Sequence, residues 1–239
     1  ILGRQPELGL AELESLYGAK NITSFGDKFA LVDIPADKID FDRLGSVIKL
    51  TTVLTELDKD DWISVEKYLL KMVKEHLDYI PEEGKFNFGL SNYGLRASTT
   101  QITRTALTIK KVIKASGRSV RIVPNKSAAL STPQVIHNHL AGATRGWEVV
   151  SVRHGGKVIV CLTMREQDIE AYTARDQARP KRDAFVGMLP PKLAQTIINL
   201  ATGLLVKNEK DSSIPLPISE TPVPTILDPF CGTGVVLQE

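Results

Sequence analysis

Thr225-Ile226-Leu227-Asp228-Pro229-Phe230-Cys231-Gly232-Thr233-Gly234 reads as a short apolar run, an acid and a Gly-x-Gly turn, and Val235, Val236 and Leu237 follow as the start of a helix. Strand, tight turn and helix together are the repeating unit of α/β folds. An Asp at the end of such a strand can accept hydrogen bonds from a ribose or an amine. The two glycines let the backbone pass close to a ligand where a Cβ would clash. The helix start behind them adds free N–H donors. The same pattern also occurs in ordinary strand–helix turns, because Gly-x-Gly matches arise readily by chance.

The charge distribution around this stretch is uneven. The net charge of +2 conceals three regions. Residues 1–83 hold 17 acids and 10 bases, and residues 148–239 hold 11 acids and 10 bases. Between them, residues 84–147 hold ten bases and no acid. A one-signed stretch of that length is an electrostatic footprint for a polyanion.

Other features narrow the class. A hydrophobic content of 42% is ample for packed cores. No apolar run approaches the roughly 18 residues that span a membrane, and no signal peptide is visible. Cys161 and Cys231 lie far apart without metal-ligand spacing, and the four histidines are scattered. The expectation is a cytoplasmic protein with no disulfide framework, metal site or membrane association.

The α/β fold class extends along the chain in three parts. Residues 1–57 read as a ferredoxin-like unit: a helix from Pro6 to Tyr17, strands Ile22–Phe25 and Phe29–Ile34, a short helix at Ile39–Leu44 and a strand within Val47–Leu57. Residues 58–165 read as a second α/β domain. Asp58-Lys59-Asp60-Asp61 is placed to cap a helix from Trp62 to Leu77. Phe86-Asn87-Phe88-Gly89-Leu90 alternates as a strand whose two phenylalanines share a buried face. Ser98–Ser116 is the clearest helix, with Ile102, Ala106, Ile109 and Ile113 on one side. Arg104, Lys110, Lys111 and Lys114 project from the other side, and Gly117 is placed to end the helix. Arg96, Arg118, Arg121 and Lys126 extend the basic set into the flanking turn and strand. Such a face is either solvated or in contact with phosphate. Trp147–Arg153 and Val158–Thr163 form a hairpin around Gly155-Gly156. Residues 166–239 start as a polar linker over Gln167–Asp183. A helix follows Pro190-Pro191, with Leu193, Ala194, Ile197, Ile198, Ala201 and Leu204 expected to bury a wide face. A proline-rich loop then leads to the glycine turn.

Several segments taken together resemble a known family. Tyr172-Thr-Ala-Arg175-Asp176-Gln-Ala-Arg179-Pro180-Lys181-Arg182-Asp183, Met188-Leu-Pro-Pro-Lys-Leu-Ala194 and Asp228-Pro-Phe-Cys-Gly-Thr-Gly234 resemble the THUMP-containing tRNA guanosine-N2 methyltransferases. Tyr93-Gly-Leu-Arg96, Val120-Arg-Ile-Val-Pro-Asn-Lys126 and Val135-Ile-His-Asn-His-Leu140 resemble their THUMP domain. The resemblance implies a ferredoxin-like N-terminal domain, a THUMP domain and the start of a Rossmann-like class I methyltransferase domain. It implies S-adenosylmethionine as cofactor, with Asp228, Gly232 and Gly234 in the first cofactor motif. Phe185, Met188 and Pro190 would line the cofactor's methionine end. It implies tRNA held by its acceptor end, and a guanine exocyclic amine as the methyl acceptor.

In that family the amine is oriented by an Asp-Pro-Pro-Tyr-like motif. These 239 residues contain none, so no catalytic residue is assigned and the chain alone is expected to be inactive. Oligomeric state is not readable. Competing readings are a non-catalytic THUMP module, a guanine-N2 enzyme acting on ribosomal RNA, and a dinucleotide oxidoreductase. The last lacks the third glycine of its fingerprint.

Overall fold

The computed structural model describes residues 1–26, 28–178, 188–206, 226–228, 231 and 234–238. The chain is mixed α/β and divides into two compact units. One comprises Ile1–Ile48 with Gln167–Glu239, and the other is Lys49–Glu166.

The Lys49–Glu166 unit is built on a five-stranded sheet. Its strands are β3 (Lys49–Leu57), β4 (Phe86–Tyr93), β5 (Val120–Ile122), β6 (Gly146–His154) and β7 (Lys157–Glu166), in the order β3-β7-β6-β4-β5. Strand β4 is parallel to both β5 and β6, and the other pairs are antiparallel. Parallel neighbours need a crossover, and α3 (Thr99–Ala115) supplies it between β4 and β5. Alternation along β4 sends Phe86, Phe88 and Leu90 to one face, where α2 (Trp62–Glu75) and α3 cover them. From α3 this core takes Ile102, Ala106, Ile109 and Ile113, the four positions whose spacing marked them. Burying side chains of this size stabilises by about 1.5–3 kcal/mol each.

Local chemistry sets the element ends. The Asp61 carboxylate accepts from the Ser64 N–H at 2.7 Å and starts α2. Ser98 and Gln101 form a reciprocal capping box at the start of α3. Gly117 ends that helix at φ +84°. Gly155 and Gly156, at φ +53° and +83°, make the tight β6–β7 turn.

The opposite face of the sheet carries a buried polar cluster. Both carboxylate oxygens of Glu148 accept from Lys49 Nζ, at 2.6 and 2.7 Å. Ser91 Oγ and Thr163 Oγ1 donate to the same carboxylate, each at 2.6 Å. The four partners come from β6, β3, β4 and β7. Burial acts against the Lys49 ammonium, but Glu148, Tyr93 and Glu166 more than offset it and raise its pKa. Glu166 differs: its side chain is 3% exposed, and among the described residues neither oxygen has a partner in good hydrogen-bond geometry, although Lys49 and Thr132 are near enough to favour its charged form. Lys49 Nζ lies 3.4 Å away but is already committed to Glu148. Burial pushes the Glu166 carboxyl up to about 7, partly offset by Lys49.

The other unit contains α1 (Pro6–Tyr17) and the antiparallel pair β1 (Ile22–Phe25) and β2 (Phe29–Val32). It also holds α5 (Ile169–Gln177), α6 (Pro191–Val206) and the short α7 (Val235–Gln238). Helices α1 and α6 pack through polar groups. The buried Glu12 carboxylate accepts from the N–H groups of Gly45 and Ser46 and from Asn199 Nδ2, at 2.8, 2.9 and 2.7 Å. At Gly203 a Cβ would overlap Ser15, so only glycine permits this approach.

Four expectations change here. The strand assigned to the end of residues 1–57 pairs antiparallel with β7 over eight residue pairs, from Lys49–Glu166 to Leu57–Val158. The short helix expected at Ile39–Leu44 is replaced by a 3-10 turn at Phe41–Arg43, with another just before it at Ala36–Lys38. The polar stretch at 167–178 is not a linker: Asp168 caps α5 by accepting from the Ala171 N–H, and Tyr172 is buried. Helix α6 buries Ala194 as expected, but the rest of its buried face differs. Thr196, Asn199 and Thr202 are buried and bonded, whereas Ile197 is 44% exposed.

The Glu166 carboxyl gives a pH prediction. Its folded pKa lies above its unfolded value, so the stability held by the protonated form is complete below about pH 4.5 and is lost as pH rises to about 7. Glu166→Gln should gain on the order of 1–3 kcal/mol over wild type at pH 7.5 and little at pH 4.5. Urea midpoints of both proteins at the two pH values test this, and equal differences at both would refute it.

Candidate functional site

The basic helix is the first site to place. An open groove of about 690 Å³ runs along the outer face of α3, bounded by Asn125 just beyond β5. Arg104, Lys110, Lys111 and Lys114 line it, as do Thr99, Thr100, Thr103, Thr108 and Leu107. From Thr99 to Lys114 the helix rises roughly 22 Å. The buried stripe of α3 faces the sheet, so helical geometry turns the basic stripe outward. Among the described residues, none of the four cations forms a salt bridge.

The remaining predicted basic residues fall in different places. Arg96 is exposed in the loop before α3, and Lys126 is exposed next to Asn125. Arg121 is exposed on β5 between Val120 and Ile122, which both pack into the main core, so it faces away from α3. Arg118 is engaged within the fold. Its Nε donates to the Ile80 carbonyl at 2.9 Å, and its guanidinium lies 3.5 Å from Asp78 and 3.7 Å from Glu82. It ties the end of α3 to the turn after α2. The threonines and Leu107 were not marked by the sequence reading, although positions 100, 103, 107, 111 and 114 share the spacing of one helix face.

The glycine turn is described in part. Gly234 sits at φ +79°, and its N–H donates to the Cys231 carbonyl at 2.6 Å. Helix α7 begins at the next residue and packs on α6, with Val235 buried. Among the described residues, a Cβ at Gly234 would meet Leu237, at 3.9 Å. Glycine is therefore favoured by the backbone angle. Asp228 is half-buried ahead of the turn, while Ile226 and Leu227 before it are exposed and, among the described residues, form no strand. Met188 is half-buried and Pro190 exposed at the entry to α6. Gly232 and Phe185 lie outside the described residues.

A third grouping was missed in the sequence. Tyr172 of α5 meets Arg175 at 4.4 Å and Lys192 of α6 at 5.0 Å from its ring centre. Its hydroxyl bonds the Gln195 side chain. Lys192 Nζ donates to Gln167 Oε1 at 2.6 Å, and burial lowers its pKa. Arg175 is three residues from Tyr172 on α5, a local spacing, but Lys192 is 20 residues away, so no local spacing signalled that contact.

Among the described residues, no group of three or more His, Cys, Asp or Glu could hold a metal ion, and no helix is long and apolar enough to cross a membrane.

These features define a mixed α/β chain with a basic groove on one helix and a glycine turn ahead of another. No family model matches the chain, and no curated protein matches it. Among solved structures it is similar to TrmN from Thermus thermophilus, at 18% identity and a TM-score of 0.43. That similarity covers 84% of this chain and 52% of the other, so the chain spans about half the length of TrmN.

The two kinds of arginine give a prediction. Arg118→Ala should destabilise by about 1–3 kcal/mol, since it removes a charged donor from a carbonyl. Arg104→Ala and Lys111→Ala should each stay within about 0.5 kcal/mol. Urea denaturation of the three variants checks this, and equal losses would show that the groove cations also hold the fold.

Proposed function

We propose that this chain is the RNA-binding part of an S-adenosylmethionine-dependent tRNA methyltransferase of the THUMP-containing type, acting on the exocyclic N2 of a guanosine. The observation that carries the reading is the α3 groove: four cations without ion-pair partners among the described residues, on a helix inside an acid-free stretch of 64 residues. Phosphate contacts of this kind position RNA without reading its sequence. Arg96 and Lys126 extend the contact at the groove's ends, and Arg121 adds to the unit's positive field. The tRNA would be held by its acceptor end.

The family resemblance supplies the second half of the reading. Asp228 would accept hydrogen bonds from the cofactor, and Gly232 and Gly234 would let the backbone approach it. Phe185, Met188 and Pro190 would line its far end. When bound, the cofactor supplies a sulfonium methyl group for in-line displacement by the guanine amine. The left-handed Gly234 turn ahead of α7 supports that use. No residue of this chain is assigned to orienting the amine. The tRNA acceptor, the N2 position and the activity of the whole protein are all part of the proposal.

Binding of unmodified tRNA to the chain across a salt series tests it. Affinity should fall steeply with salt, with a log–log slope growing by roughly 0.7–0.9 per phosphate contacted. The combined change Arg104→Glu, Lys111→Glu and Lys114→Glu should abolish binding while leaving the melting temperature near wild type. Salt-insensitive binding, or binding that survives the triple change, would remove the groove from the proposal.

A further inference from the structure

Leu107 is set apart from the other large apolar residues of α3. Ile102, Ile109 and Ile113 are wholly buried, whereas Leu107 is 47% exposed and lines the groove. A single exposed leucine needs no explanation in itself. Its neighbours give it meaning. Arg104 precedes it by one turn, and Lys110 and Lys111 follow by one turn, on the same groove wall. On the N-terminal side stand Thr99, Thr100 and Thr103, whose hydroxyls have no hydrogen-bond partner among the described residues. By contrast, the Thr108 hydroxyl is spent on the Arg104 carbonyl at 3.0 Å.

Resting on the reading of this groove as an RNA surface, we infer that it takes an unpaired stretch of RNA. A base or ribose face lies on Leu107, and the flanking phosphates lie on Arg104 and on Lys110 and Lys111. The charge complementarity selects a polyanion, and the apolar patch selects its form. A duplex keeps its base faces stacked inside and would bring phosphates or sugar edges to Leu107. Those groups would lose water there and gain no partner. An unpaired nucleotide can turn its base onto an apolar side chain while its own phosphates reach the cations on either side. The free threonine hydroxyls suit the ribose 2′-hydroxyl, which both donates and accepts. Leu107 is thus a specificity-determining residue for strandedness, separate from the cations that supply affinity.

The test compares a ten-nucleotide single-stranded RNA with the same strand annealed to its complement, by fluorescence anisotropy at several salt concentrations. Wild type should prefer the single strand. Leu107→Ala should weaken single-strand binding by about fivefold and leave duplex binding and the salt slope unchanged, whereas Leu107→Trp should strengthen single-strand binding severalfold. Both variants change an exposed position and should melt with wild type. Equal affinity for the two RNA forms, or Leu107 variants that shift both forms or neither, overturns the inference. If wild type binds with a steep salt slope but ignores Leu107, this inference fails and the basic-surface reading stands. If neither RNA form shows salt-dependent binding, the basic-surface reading fails and this inference falls with it.

Discussion

The Lys49–Glu166 unit depends on one buried carboxylate. Glu148 sits in the middle of the sheet, and an ion placed there without partners would cost several kcal/mol. It is tolerated because Lys49, Ser91 and Thr163 all point their donors at it. These three residues come from the three other long strands, so satisfying one charge specifies how four strands sit relative to one another. Slipping any strand by one residue would turn its donor to the other face and leave the carboxylate bare. The other face, under α2 and α3, is free of such demands and is filled with phenylalanine, leucine and isoleucine. The polar face sets register, and the apolar face supplies most of the stabilisation. Because α3 is held along its whole buried stripe, its outer stripe presents the groove as a rigid surface.

The unit formed by Ile1–Ile48 and Gln167–Glu239 uses the same device differently. Glu12 is wholly buried and takes two backbone N–H groups and one side-chain amide. Burial pushes its carboxyl up, and these hydrogen bonds pull against that. Asn199 also donates to the Arg43 carbonyl and accepts from Arg43 Nε, so one α6 residue closes a network across three segments. Gly203 then allows α6 to approach Ser15 closely enough for the Ser15 hydroxyl to reach the Asn199 and Leu200 carbonyls. A helix fixed by directional bonds has less rotational freedom than one fixed by grease. This matters because α7, which follows the glycine turn, packs on α6.

What could be read from the sequence follows from the range of the forces involved. Helix α3 was legible because its signals are local: a capping box, a 3.6-residue period and Gly117 in the left-handed conformation all lie within 20 residues. The β6–β7 hairpin was legible for the same reason. Strand β3 was misassigned because its partner lies about a hundred residues away, and nothing within 47–57 names it. The buried face of helix α6 was legible only in part, at Ala194, because its buried threonines and asparagine become acceptable only once Glu12, Arg43 and Ser46 are beside them. The basic set was legible as composition but not as geometry. Only the fold separates Arg118, spent on the Ile80 carbonyl, from the lysines four and seven residues earlier that face the groove.

The way the unit treats its other charges sharpens the reading of α3. Five other cations of Lys49–Glu166 lie within ion-pair distance of acids: Lys49, Lys71, Arg118, Arg153 and Lys157. Arg153 pairs with Asp60 at 2.6 Å, and Lys157 pairs with Glu56 at 2.5 Å, both across adjoining elements. Lys49 is neutralised in the interior, and Arg118 lies near Asp78 and Glu82. Acids are therefore plentiful in this unit, and its topology can bring them to distant bases. Along α3 it brings none, although four cations within eleven residues repel one another and a glutamate one turn away would ease the strain by a few tenths of a kcal/mol per pair. A solvated face carries no reason to forgo that small gain at every position. A face that must meet a polyanion does, since each acid placed there would repel the partner and cancel one of the contacts that drive association. The absence of acids along α3, in a unit that brings acids to Lys49, Arg118, Arg153 and Lys157, is what the proposed RNA surface requires.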